Sequence, residues 1–85
     1  MINLIATNAL VTRKQFLGLF CNVEEAKGYG QAKVDEVGCH ESLEWKEIPE
    51  DSVMRESFMV GMLLPVRMLR AHYGDSCLVI LDYGL

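Results

Sequence analysis

Five side chains in this sequence have the chemistry to hold a metal or act as a nucleophile: Cys21, Cys39, His40, His72 and Cys77. A structural zinc site draws two ligands from a tight knuckle such as CxxC, because one turn of chain must present both to a tetrahedron. Cys39 and His40 are adjacent, and His72 and Cys77 stand five positions apart. Neither spacing suits a knuckle, so no metal or other cofactor is expected. A nucleophilic cysteine needs a histidine or a helix N-terminus beside it to favour the thiolate. Within a strand, Cys39 and His40 point to opposite faces. Cys21 reads as a residue of a helix and Cys77 as the start of a buried strand. No catalytic residue is expected, and the chain reads as a non-enzyme.

Two further patterns invite a ligand and lose it on inspection. Gly28-Tyr29-Gly30 begins like a dinucleotide-binding loop, but the third glycine position is Lys33. Such a loop must also join a strand to a helix, whereas this one reads as the end of a helix. Arg13 and Lys14 at a helix start resemble an anion site, yet a capping residue there already takes some of the free N–H donors.

The strongest functional clue is the distribution of charge. Eight of the twelve acidic residues lie between Asp35 and Glu56, where only Lys46 and Arg55 are basic, so this stretch carries a net −6 in a chain of net −4. Glu36, Glu41, Glu44, Glu47, Glu50 and Asp51, with Trp45 among them, are the candidate partner-binding residues. An acidic surface steers a basic partner toward it and weakens with salt, and tryptophan is a frequent anchor at such interfaces. The alternative is a solvated acidic face that serves solubility alone. The same charge, with a pI near 5.0, argues against direct binding to nucleic acid, which needs a basic footprint. It argues equally against docking on an anionic membrane.

The elements that must carry these residues follow from size and pattern. Eighty-five residues, 51% of them hydrophobic, suffice for one domain spanning residues 1–85. The N-terminus lacks the basic start and apolar stretch of an export signal, and the longest uncharged apolar run, nine residues from Phe58 to Val66, falls far short of a membrane span of about 20. With three cysteines in no framework spacing, a reducing cytoplasm is the expected setting.

Ile2–Ala6 reads as a strand. Thr12 and Gln15 fit a capping box, and Phe16, Leu19, Phe20 and Val23 recur at one helical face, predicting a helix over 13–27 stopped by Gly28. One feature opposes it: Arg13 and Lys14 fall at its positive end, and Glu24 and Glu25 near its negative end. Alternation over 32–37 and 43–46 predicts a strand pair joined near Gly38–Glu41. Pro49-Glu50-Asp51 reads as the start of a second helix running to about Leu63, and Pro65 ends it. Residues 65–73 read as a helix. The rival is a strand turning at Gly74-Asp75 into Cys77–Leu81, with Arg67 opposite Asp82. Cys77–Leu81 is a central strand in either case.

The resulting class is α+β, with the βαββαβ order of the ferredoxin-like arrangement, an antiparallel sheet and two helices. The expected activity is binding to a protein with a basic surface. An acidic inhibitor that blocks a nucleic-acid-binding site has this size and charge, and phage-encoded inhibitors of host defence share that profile by analogy alone. The alternative is a small homo-oligomeric ligand-binding or metabolic domain with its site between protomers. The methionine-rich stretch Met54, Met59, Met62 and Met68 would then form a homodimer contact.

Overall fold

The computed structural model describes residues 2–38 and 42–84. Among the described residues there are five strands, one α-helix and one short 3-10 helix, an α+β domain. The strands are β1 (Ile2–Asn8), β2 (Lys14–Phe20), β3 (Lys46–Glu47), β4 (Arg67–Tyr73) and β5 (Ser76–Asp82). They form one antiparallel sheet in the order β2-β1-β5-β4-β3. The helix α1 (Val23–Glu36) lies between β2 and β3, and the 3-10 helix (Val53–Phe58) lies between β3 and β4. The chain order therefore opens with a hairpin and closes with another. The βαββαβ expectation does not hold: the second strand precedes the helix, and among the described residues β3 is followed by a 3-10 helix in place of an α-helix.

Side-chain alternation splits the core into two layers, one on each face of the sheet. On the first face, Ile2, Leu4, Leu69, Leu78 and Ile80 pack against Ala26 and Val34 of α1. On the second, Met68, Val79 and Leu81 pack against Phe58, with Ile48, Met54 and Tyr83 around them. Strand β5 is apolar on both sides because both sides are covered, as its sequence foretold.

The helix predicted over 13–27 is instead strand β2 followed by the start of α1. The capping box predicted at Thr12 and Gln15 does not form, and the helix is capped ten residues later by Asn22 and Glu25. Asn22 is the N-cap, its Oδ1 accepting from the Glu25 N–H at 2.9 Å, and Glu25 reaches back to the Cys21 N–H at 3.4 Å. Glu24 and Glu25 thus sit in the first turn and Lys33 in the last, the polarity that the helix dipole favours. The charge mismatch of a helix over 13–27 disappears once the helix starts after Asn22. At the predicted position, Thr12 serves the β1–β2 loop, where Asn8 Oδ1 accepts from the N–H groups of Thr12 and Arg13, each at 2.9 Å.

Gly28 and Gly30 lie inside α1 and do not end it. Gly30 is there for contact: a Cβ at this position would stand 3.0 Å from Leu78 Cδ1 and 3.4 Å from Trp45 Cζ2. The helix ends at Val37, with Gly38 beyond it at φ +81°. This also removes the strand pair predicted over 32–46, since residues 32–36 are helical and β3 pairs with β4 instead. The expected joint at Gly38–Glu41 extends into residues outside those described.

The second predicted helix shrinks to the six residues of the 3-10 helix, capped by Ser52 Oγ on the Met54 N–H. Beyond it, Gly61 adopts φ +61°, and Val60 and Leu63 exchange both backbone hydrogen bonds at 2.9 Å, closing a tight turn in place of a helix. Residues 67–73 form a strand, so the helical reading of 65–73 fails and the hairpin reading stands. Gly74 takes φ +54° in a two-residue turn, and Arg67 pairs with Asp82. Positive φ at the first turn residue is what such a hairpin demands.

Candidate functional site

The acidic candidates fall mainly along the β3 edge of the sheet. Trp45 leads into β3, and its half-buried indole packs on the helix-side core beneath α1, beside Gly30. Gln31 Oε1 of α1 accepts the Leu43 N–H at 2.9 Å, tying the approach to β3 to the helix. Glu44, Glu50 and Asp51 are exposed on either side of the strand. Glu47 lies in β3 and makes an ion pair with Arg67, at 2.6 Å to Nη2 and 2.7 Å to Nε. That hydrogen bond, then the Glu47 charge itself, holds the Arg67 guanidinium above its usual range, with Asp82 and Glu24 adding to it.

Glu36 stands apart from this group, at the end of α1, where it pairs with Lys33 at 3.6 Å. The Glu36 charge raises the Lys33 ammonium above its ordinary value, and Tyr29 adds to the shift. Glu41 lies outside the described residues, as do Cys39 and His40. Four of the acidic candidates therefore share an edge, Glu36 is separate, and Trp45 supports the edge from beneath.

Arg55 fixes the far side of this segment, and no sequence pattern marks it. Its side chain is buried, and among the described residues it has no carboxylate partner. The guanidinium donates instead to three backbone carbonyls: Ile48 at 2.7 Å, Pro49 at 3.0 Å and Pro65 at 2.7 Å. The planar five-donor fork of arginine suits such a cluster of acceptors. One side chain thereby clips the chain after β3 to the chain before β4. Glu50 and Asp51, next to Pro49, are presented from a pinned backbone.

The hairpin also brings together a pair that the sequence reading had set aside. His72 and Cys77 are cross-strand partners, and His72 Nδ1 lies 3.2 Å from Cys77 Sγ. Arg70 Nη2 lies 2.9 Å from His72 Nε2. A guanidinium can only donate, so Nε2 accepts, the ring proton sits on Nδ1, and the imidazole donates to sulfur. Cys77 has no exposed surface, so no thiol is offered to a substrate. The arrangement is a hydrogen-bonded chain that runs from the exposed His72 ring to the buried Cys77 sulfur. Among the described residues, no three of His, Cys, Asp and Glu converge on a point where a metal could sit.

A depression of about 810 Å³ lies at the turn end of the sheet between Arg13, Lys14, Gln15, Asp75 and Ser76. It is broad and open. Buried at its base, the Thr7 hydroxyl has no hydrogen-bond partner. A smaller one, of about 230 Å³, lies between Lys33, Val37 and Tyr73. The first is lined mainly by polar side chains and the second mainly by apolar ones. Among the described residues, no helix is long and apolar enough to cross a membrane. No protein-family model matches the chain, and no curated protein or solved structure is significantly similar to it.

Proposed function

We propose that this chain is a non-enzymatic protein-interaction module whose acidic β3 edge docks on a basic protein surface. One observation carries the reading: Glu44, Glu47, Glu50 and Asp51 are exposed on a backbone held by Gln31, Trp45 and Arg55. A pre-positioned acidic edge loses little conformational entropy on binding and attracts a basic partner over about a Debye length. Blocking a basic nucleic-acid-binding surface is the activity such an edge serves best.

The test is capture of a basic protein from the source cell's lysate at low and at high salt, using wild type and the Glu44→Lys, Glu47→Lys double variant. Both sites are exposed, so the variant should fold. A stoichiometric basic partner, released by salt and not retained by the variant, is the expected result. Equal retention by the folded variant would remove the acidic edge from the interaction.

A further inference from the structure

We infer that the outer edge of β2 is a strand-addition site, where a second copy of this chain lays its own β2 antiparallel and joins the two five-stranded sheets into one. This goes beyond the acidic-docking reading and does not depend on it.

The two edges of the sheet are built differently. An open edge offers unpaired N–H and C=O groups to any extended chain, and folded proteins guard it by shortness, charge, proline or cover. The β3 edge has two of these guards, being only two residues long and carrying Lys46 and Glu47. The β2 edge is seven residues long, and among the described residues no strand pairs with its outer side. Residues 15–20 hold neither charge nor proline, and Phe16 and Leu19 are 59% and 54% exposed. The one charge in the strand, Lys14, is turned back onto its own chain. It donates to the Ser57 carbonyl, with the ammonium 4.9 Å from the centre of the Phe58 ring. The bulge at Leu17 bends the strand without adding a charge. An uncharged apolar segment left open on an edge is the pattern that recruits a further strand.

Charge along the α1 side of this edge points to a second copy as the occupant. Glu25 accepts the Cys21 N–H, the Tyr29 ring lies 5.2 Å from the Phe20 ring, and the Lys33 ammonium lies over Tyr29. Their i, i+4 spacing sets the three on one stripe of α1, leaning over β2, whereas Gln31 holds Leu43 on the β3 side. Glu25 thus marks the Phe20 end of β2. Lys33 marks the other end, near Gln15, where Arg13 falls on the same side of the sheet by its register with Asn8. Glu36 offsets one of these two cations, which leaves the basic sign in excess there. A two-fold axis perpendicular to the sheet near Leu17 keeps both helices on one side of the joined sheet. It also sets Arg13 and Lys33 of each copy beside Glu25 of the other. Each α1 packs across β2, β1 and β5, so the two helices stand about three strand spacings apart, roughly 14 Å, a gap that long side chains cross. An ammonium has three donors and a carboxylate two oxygens, so their present contacts leave capacity for this one. An isologous contact requires this kind of self-complementarity.

Sedimentation velocity from micromolar to millimolar concentration tests the inference, joined to amide hydrogen exchange along β2, with circular dichroism to check folding of every variant. Wild type should dimerise, and exchange of the β2 amides should slow as concentration rises. Leu19→Lys, which puts a charge on the open edge, should weaken the dimer by about tenfold or more. Arg13→Glu and Glu25→Arg should each weaken it by roughly fivefold, and the two together should regain most of the loss. The Glu44→Lys, Glu47→Lys variant should dimerise like wild type, which separates this result from the fate of the docking proposal. A monomer at every concentration overturns the inference. A dimer whose β2 amides exchange as fast as in the monomer overturns it as well, and a charge swap without recovery overturns the antiparallel arrangement.

Discussion

The two faces of the sheet are closed by different means. One is closed by a 14-residue helix whose own hydrogen bonds satisfy its backbone, and which needs only an Asn22 cap and small residues at the contact. The other is closed by an irregular segment with a single 3-10 turn, whose carbonyls at Ile48, Pro49 and Pro65 are satisfied by one arginine. A helix carries its polar groups internally. A loop that crosses a sheet must find partners for them. The helix side therefore depends on packing, and the loop side on a buried polar clip. The loop also leaves Glu50, Asp51 and Met62 exposed along its course.

The comparison breaks most readily at Arg55. Arg55→Ala leaves three carbonyls without their donor and should cost about 3 kcal/mol in urea unfolding. Because Cys77 is buried on the same face, this variant should also speed its alkylation by iodoacetamide, followed by mass spectrometry. In wild type the exposed Cys21 should react before the buried Cys77. A loss below about 0.5 kcal/mol, typical of an ordinary surface substitution, would mean the loop does not depend on the clip.

On the helix side, two glycines two positions apart should respond with opposite sign. Gly28 has nothing within 4 Å of an added Cβ, so Gly28→Ala should stabilise by about 0.5–1 kcal/mol through lost unfolded-state entropy and better helix propensity. Gly30→Ala gains the same propensity but crowds Leu78 and Trp45, and should destabilise by about 1 kcal/mol net. Thermal unfolding of the two variants checks the pair. The same sign in both would mean Gly30 is not a close-contact position.

A subtler difference is set by pH. Burial raises the Tyr83 phenol above 10.0, so the folded state favours the neutral form. That contribution is fully present below the unfolded phenol's range and is lost as pH rises through the folded value. Spectrophotometric titration should show a phenol ionising later in the folded protein than in urea, and Tyr83→Phe should abolish the lag. The smallest effect is expected at Glu47→Gln, whose exposed pair with Arg67 is open to water and salt. Its unfolding midpoint should match wild type, whereas a clear fall would make the β3 edge structural.

The parts of the fold legible from sequence were those where one pattern dictates one structure. The double-sided apolar run of β5 and the edge-to-centre strand β1 are of this kind. The Phe16, Leu19, Phe20 and Val23 spacing misled because β2 has a bulge. Leu4 pairs with Gly18 and Ile5 with Phe16, so Leu17 is an extra residue that breaks the two-residue period. The dipole mismatch held the correction, and moving the helix to Asn22 resolves it. Residues 67–71 are good helix formers, but register with β5 overrode propensity. Following the hairpin reading from Arg67–Asp82 would have put His72 opposite Cys77. The acidic stretch was legible as charge, while its edge position was not, because β3 is only two residues long. Arg55 was invisible, since its partners are carbonyls brought together only by the folded loop.

The most direct test of the central claim is salt-dependent capture by the acidic edge, comparing wild type with the folded Glu44→Lys, Glu47→Lys variant. A basic protein bound by wild type at low salt, released at high salt and not held by the variant is the predicted result. Binding that ignores both salt and the two substitutions would contradict the account.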